Sequence, residues 1–427
     1  MSIRSILEAT PARKALYHLI SGNALVFILQ IIGLYITLTY YSREALSVYT
    51  LFVTLTYLST KLTTLRLPEI LIREPDATEV KSSANAIFTM TVVLTVLVIS
   101  LYLLLTIFGI DFQLFGKNRF SILFPLFALA VLMSSLSQLW GTLLLKHDKT
   151  KQLSTGRILK SSVQVIGMIY FITRSEYGLL YGWVLGLAIE LVYSIIVIKN
   201  YRLTLTPISN IILLIKKNKD IIYYTLPISV LLSLHDNIVV QSIEYFYGPA
   251  ILAVFAVVDR VLRIPSQIIG GAASQVLYKY GSDSFNKSSA TYYKQYLRGV
   301  TRIALLFIVS IAACMLLAYP VFDNIFDGKW SAAPYYLVKY AWWILPFSLM
   351  AVLRNVPVML KQQRQYFLLE LGLVISIAVS LYCVGNWYGI DTFYLVKYGV
   401  ELVFFIVMIW SVTRMVKARA LSSNESQ

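Results

Sequence analysis

The sequence predicts an all-α, polytopic membrane protein with twelve transmembrane helices. Three observations predict it. Of 427 residues, 58% are apolar and only 14% are charged, against about 25% charged in a soluble domain. Mean hydropathy is +0.71. The apolar residues gather in twelve stretches, each near the ~20 residues that a helix needs to cross a ~30 Å hydrocarbon core. This composition excludes a water-soluble enzyme. It also excludes a disordered chain, which requires low hydrophobicity and dense charge.

In order, the stretches run 15–40, 45–67, 83–108, 120–145, 157–174, 177–198, 221–246, 249–278, 297–319, 333–358, 364–386 and 392–414. The first is too long for the apolar core of a signal peptide and no small-residue cleavage site follows it, so it is read as retained. Only Ser175 and Glu176 separate the fifth stretch from the sixth. The longest break, 199–220, carries Lys199, Arg202, Lys216, Lys217 and Lys219. Its partly apolar part, Leu203–Ile215, is expected to lie in the interface as an amphipathic helix. The break divides the chain into an N-terminal six-helix bundle (1–198), a basic cytoplasmic linker (199–220), a C-terminal six-helix bundle (221–414) and a cytoplasmic tail (415–427).

The basic residues set the orientation. The chain has 37 Lys and Arg against 21 Asp and Glu, a net charge of +16. Of the basic residues, 26 fall in or beside one alternating set of loops and 5 in the other. The positive-inside rule then puts both termini in the cytoplasm. The excess charge faces anionic headgroups, so nucleic acid is not needed to explain it. Cys314 and Cys383 lie inside apolar runs and form no C-x-x-C pair. Neither a disulfide framework nor a zinc site is supported. His18, His147 and His235 are too scattered in sequence to suggest a metal site. There is no phosphate-binding G-x-x-x-x-G-K-[ST] loop and no G-x-S-x-G elbow. The outward loops near 109–119 and 320–332 are too short to house a catalytic domain. The expectation is therefore a protein without a cofactor, not an enzyme.

Ionisable residues inside spans are costly and usually face a cavity or another charge. The bases are Lys61, Arg260, Arg263, Lys339, Arg354 and Lys397; the acids are Glu190, Asp236, Asp259, Glu370 and Glu401, with His18 and His235 beside them. Asp259 and Arg263 are spaced i,i+4, as are Lys397 and Glu401, so each pair can bridge on one helix face. Three readings compete: structural ion pairs, a cavity for an anionic substrate, and carriers of coupling protons or cations. The run Ser233–Asn237, after Pro227, is expected to interrupt the seventh span. Pro265 is expected to kink the eighth, ahead of the small residues Gly270 to Ala273. Many of the 30 tyrosines lie at predicted span ends and are read as an interfacial aromatic belt.

The halves share weak features: Leu145-Lys146 and Leu360-Lys361 end the fourth and tenth spans, and Arg66-Leu67-Pro68 is echoed by Arg263-Ile264-Pro265. The stretch Thr64–Arg73 with the acidic Glu74–Glu79 resembles the end of the second span in Wzx-like polysaccharide-repeat flippases of the multidrug/oligosaccharidyl-lipid/polysaccharide (MOP) exporter superfamily. Gly156-Arg157-Ile158 with Ser161–Val165 is similar to the start of their fifth span. Leu226-Pro227, Val258–Pro265 and Ala273–Val276 are similar to their seventh and eighth. The resemblance implies a MATE-like fold, two six-helix bundles around a central cavity of alternating access. It implies movement of a polyprenyl-diphosphate-linked oligosaccharide, an O-antigen or other surface-polysaccharide repeat unit, across the bacterial inner membrane to its outer leaflet. Its partners would be that lipid-linked oligosaccharide, membrane lipids, a polysaccharide polymerase and a chain-length regulator. Lys61, Arg260, Arg263 and Arg354 are the candidates to engage substrate. Glu190, His235, Asp236, Asp259 and Glu401 are the candidates for proton or sodium coupling. The alternatives are a MATE-type antiporter of cationic drugs or metabolites and a membrane glycosyltransferase or polymerase.

Overall fold

The structure is a computed structural model that describes residues 10–74, 77–108, 120–199, 201, 203–219, 221–266, 289–326, 329–354, 356–359 and 362–422. Among the described residues there is no β-strand. The helices are α1 (Thr10–Tyr40), α2 (Arg43–Thr64), α3 (Ile70–Arg73), α4 (Ala77–Ile107), α5 (Phe120–Lys146), α6 (Thr150–Phe171), α7 (Gly178–Val197) and α8 (Ile208–Lys217). They continue as α9 (Leu226–Tyr247), α10 (Pro249–Pro265), α11 (Ser289–Ile325), α12 (Ala332–Tyr340), α13 (Ile344–Leu353), α14 (Val356–Met359), α15 (Gln363–Trp387) and α16 (Ile390–Ser422). Within the described residues, the expected spans fall on these helices, the eighth (249–278) being described only as far as residue 266. Among the described residues, eight helical segments are long and apolar enough to cross a membrane. Helices α2 and α6 are not among them, because hydroxyl and basic residues dilute their apolar positions.

The chain forms two compact units, Met1–Gln241 and Ser242–Gln427. Local signals fix the helix ends. Ser42 caps α2 by accepting from the Ala45 N–H at 3.1 Å, which satisfies a donor the helix leaves open. Gly248, at φ +80°, turns the chain between α9 and α10, and Pro249 opens α10 without wasting an N–H. Asp148, at φ +57°, closes α5, and the Lys149 N–H reaches back to the Leu144 carbonyl at 2.9 Å, the geometry of a Schellman ending.

In the first unit α6 and α7 pack backbone to backbone. A Cβ on Gly167 would lie 2.8 Å from the Gly182 Cα, and one on Gly186 would lie 2.7 Å from the Lys160 carbonyl oxygen. Glycine at these positions permits the close approach. Helix α2 is rich in hydroxyls, and it satisfies them internally. Thr50, Thr56, Ser59, Thr60 and Thr64 each donate to the carbonyl four residues back. Thr63 and Ser135 join α2 to α5 through hydroxyls 2.6 Å apart.

The linker is strapped to α4. The Thr204 N–H donates to Asn85 Oδ1 and the Thr206 N–H to Thr89 Oγ1, each at 3.0 Å. The interfacial helix begins later than the sequence suggests, at Ile208. It buries Ile211 and Leu214 against the core of the unit and leaves Ile208 and Leu213 exposed. Lys217 closes the strap, with its ammonium 3.0 Å from Glu74 and 2.8 Å from Glu79.

The expected interruption of the seventh span does not occur. Helix α9 is continuous from Leu226 to Tyr247. Pro227 follows directly on a π-helical turn, Ile221–Thr225, where the helix accommodates its missing N–H. Asn237 Nδ2 donates to the Ser233 carbonyl at 2.8 Å within the helix and to the Thr54 carbonyl of α2 at 2.9 Å, so the polar run passes through the bundle without breaking the helix. The small-residue segment after Pro265 and the loop 109–119 lie outside the described residues, as does the side chain of His18. Helix α11 continues to Ile325, which shortens the loop expected at 320–332.

The second unit is built on aromatic rings. Trp343 stacks on Phe347 at 4.3 Å, Tyr340 on Tyr398 at 4.5 Å, and Tyr336 meets Tyr394 edge-on at 4.6 Å. Such pairs add about 0.5–1.5 kcal/mol beyond area burial.

Candidate functional site

A cleft of about 340 Å³ opens within the first unit, inside the ~300–1,000 Å³ range of small-ligand sites. Tyr57 and Lys61 reach it from α2, spaced i,i+4 on one face. Arg66, Pro68 and Glu69 come from the turn after α2. Ser134, Ser137, Gln138, Gly141, Thr142 and Leu145 form one stripe of α5; Leu153, Arg157 and Lys160 come from α6, and Leu187 and Glu190 from α7. At ~1.5 Å per residue the α5 stripe runs roughly 16 Å.

Four bases and two acids line this cleft, a surplus of two positive charges. Arg66 pairs with Glu69 at 2.9 Å and Lys160 with Glu190 at 2.9 Å. Lys61 is half-buried and has no ion-pair partner among the described residues. Leu65 and Arg66 both adopt left-handed backbone, φ +47° and +55°. Each such residue costs on the order of 1–3 kcal/mol and persists where its surroundings hold it. Here the turn carries Arg66 and Glu69 to the cleft. Gln138 Oε1 lies 3.3 Å from the Thr64 hydroxyl, which orients the amide. The stripe thus offers hydroxyl and amide groups beside the cations. Trp183 supports Tyr57 edge-on at 6.1 Å.

The structure brings Lys61 and Glu190 together in this cleft. It also brings in Arg66, Arg157 and Lys160, which the sequence reading assigns to the loop side of their spans. The signal is present in the sequence: Arg157 and Lys160 are spaced i,i+3, with Gln164 one turn further along the same face.

The other candidates occupy different positions. In the first unit His235 Nδ1 lies 3.5 Å from Asp236 Oδ1, with His235 buried and Asp236 half-buried. In the second unit Arg263 bridges Asp259 at 2.8 Å and lies over the Phe347 ring at 5.1 Å. Arg260 is half-buried on α10. Arg354 Nε donates to the Tyr366 hydroxyl at 3.2 Å, and that hydroxyl donates to Glu370 Oε1 at 2.5 Å. Lys397 lies 3.2 Å from Glu401, and both are buried. Both i,i+4 pairs expected from spacing therefore form. Lys339, near the end of its helix, donates to the Tyr335 hydroxyl at 2.9 Å and lies 3.5 Å from Asp391. Among the described residues no group of three or more His, Cys, Asp or Glu could hold a metal ion.

The fold is shared with solved transporters. The inward closed conformation of the lipid II flippase MurJ matches with a TM-score of 0.71 and 14% identity, over 95% of this chain and 90% of that one. The MATE multidrug transporter DinF-BH matches with a TM-score of 0.67 and 14% identity, over 95% and 96%. An inward-facing multidrug resistance MATE family transporter of the MOP superfamily matches with a TM-score of 0.64 and 13% identity, over 96% of each chain. No curated protein sequence matches the chain. The model of the family described as polysaccharide biosynthesis protein matches residues 41–334, more than half of the chain. With helices that suit a bilayer and a fold shared with transporters, this multi-pass membrane protein belongs to the polysaccharide biosynthesis protein family.

Proposed function

We propose that the chain is a flippase for a polyprenyl-diphosphate-linked oligosaccharide, an O-antigen or other surface-polysaccharide repeat unit. The observation that carries this reading is the cleft with four bases and two acids in a membrane-spanning unit. A diphosphate esterified at both ends carries one negative charge on each phosphate, which matches the surplus of two. Lys61, Arg66, Arg157 and Lys160 engage the diphosphate through charge-assisted hydrogen bonds. The hydroxyl and amide stripe of α5 suits the sugar beside it. The lipid tail stays in the bilayer. Sites with a surplus of positive charge repel organic cations, which disfavours the drug-antiporter alternative.

In this reading the movement runs from the cytoplasmic to the outer leaflet of the bacterial inner membrane, with both termini in the cytoplasm. Arg263 and Arg354 have protein partners in the second unit and serve there to hold it together. Glu190 couples transport to protons: it competes with phosphate for Lys160, so protonating Glu190 releases Lys160 to the substrate. Proton and substrate binding then favour each other, as linkage requires.

The test uses cells that make a surface polysaccharide and lack this gene. The lipid-linked repeat unit should accumulate in the cytoplasmic leaflet. The wild-type gene should restore its distribution, and Lys61→Ala and Lys160→Ala variants, expressed at equal levels, should not. Normal leaflet distribution without the gene, in cells with no second flippase, would overturn the proposal.

A further inference from the structure

Lys397 is 1% exposed and lies on a membrane-spanning helix, about two turns from its start. Its ammonium sits 3.8 Å from the centre of the Tyr398 ring, 4.5 Å from that of Trp343 and 5.6 Å from that of Phe255. Glu401, 0% exposed, is 3.2 Å away. These groups come from three elements: Phe255 from α10, Trp343 from the turn between α12 and α13, and the rest from α16. A lone helix-face pair at i,i+4 would need none of that enclosure. Desolvating both charges costs several kcal/mol per ion, and the arrangement recovers this only if the surroundings favour an ammonium.

They do. Aromatic faces converging on a cation, with a carboxylate beside them, are how proteins recognise organic ammonium groups. Hard metal cations instead demand shells of oxygen ligands, which three ring faces do not supply. The stack also extends. Phe347 lies against Trp343 at 4.3 Å, and Arg263 lies over Phe347 at 5.1 Å. A guanidinium and an ammonium thus cap the two ends of one aromatic pair, each with its own carboxylate, Asp259 and Glu401.

We infer that the cage of Phe255, Trp343, Tyr398 and Glu401 is an ammonium-binding site that the chain fills itself, with Lys397 as a tethered counter-cation in place of a free one. Glu401 is then neutralised permanently, and the second unit completes its packing without loading a cation at this carboxylate. The inference is independent of the substrate proposed above.

Chemical rescue tests it on the purified full chain in detergent. Lys397→Ala removes the atoms of a propylammonium ion from beside the buried Glu401 carboxylate. Its melting temperature should fall by several degrees. Millimolar propylammonium chloride should recover at least half of that loss while leaving the wild type unmoved. Propanol and sodium chloride at matched concentration should recover none. The double variant Lys397→Ala/Glu401→Gln, which has no carboxylate in the cage, should fold and should not respond to propylammonium. If Lys397→Ala folds only when prepared in propylammonium, the inference is supported. It is overturned if sodium restores stability as well as the amine does, if the double variant responds equally, if the substitution leaves the melting temperature unchanged, or if the amine has no effect.

Discussion

The Lys160 ammonium lies 2.9 Å from the Glu190 carboxylate across the seam between α6 and α7, and a glycine makes that distance available. Gly186 faces the Lys160 backbone so closely that a Cβ would lie 2.7 Å from its carbonyl oxygen. The pair that charges the cleft therefore depends on a residue with no side chain, one helical turn from Glu190.

Gly186→Ala should force the two helices apart. Overpacking of this kind costs about 1–3 kcal/mol. The melting temperature of the purified protein should fall, and transport should fall with it, because Lys160 and Glu190 separate. A variant that melts like the wild type would show that the seam opens without cost.

Glu190→Gln should leave Lys160 free for phosphate. Binding of a soluble diphosphate analogue should tighten by roughly tenfold, as about 1.4 kcal/mol of lost competition would give. Flipping in proteoliposomes should lose its response to a proton gradient. Unchanged affinity would remove Glu190 from the coupling role.

Tyr366→Phe should take a hydrogen-bond donor away from the buried Glu370 carboxylate. The Tyr366 hydroxyl accepts from Arg354 and donates to Glu370, which is 1% exposed. Leaving buried groups without a partner costs about 1–3 kcal/mol or more. Thermal unfolding should report the loss. The phenylalanine ring keeps the packing, so an unchanged melting temperature would show that the hydroxyl bridge contributes nothing.

Asp148→Gly should stabilise the chain. Asp148 is exposed and left-handed at the end of α5. Glycine adopts that conformation without the Cβ clash, a gain of roughly 1 kcal/mol. The melting temperature should rise slightly with transport unaffected.

The linker strap should be insensitive to pH through the neutral range. Hydrogen bonds to Glu79 and Glu74 raise the Lys217 ammonium above its ordinary value of 10.5. A raised value favours the charged folded form, so its contribution is complete below 10.5 and is lost as pH climbs beyond it. Cleavage of the linker by a protease of broad specificity should stay level from about pH 7 to about pH 10 and rise above that. Because Lys217 is exposed, high salt should also speed cleavage. Lys217→Ala should abolish both dependences.

Part of the site is legible in the sequence because it is local. Lys61 stands out as a single charge inside an apolar run. Asp259–Arg263 and Lys397–Glu401 follow from the i,i+4 spacing that any α-helix imposes. Arg157 and Lys160 do not stand out, because a hydropathy reading starts the fifth span beside them and counts them with the cytoplasmic bases. Nor can the α9 polar run be read correctly from composition. Asn237 is satisfied partly by its own helix and partly by Thr54, a partner 183 residues away.

Helical class, the membrane-spanning runs and the residues sharing one helix face were set by the sequence alone, since backbone geometry and the width of a bilayer translate directly into periodicity and run length. Which faces meet was decided only by the tertiary structure. Lys160 meets Glu190 because glycines let two helices touch, and Lys397 acquires its cage because α10 and the Trp343 turn bring rings from distant parts of the chain. Those contacts depend on how side chains of different helices interlock, and no pattern within a single helix carries that information.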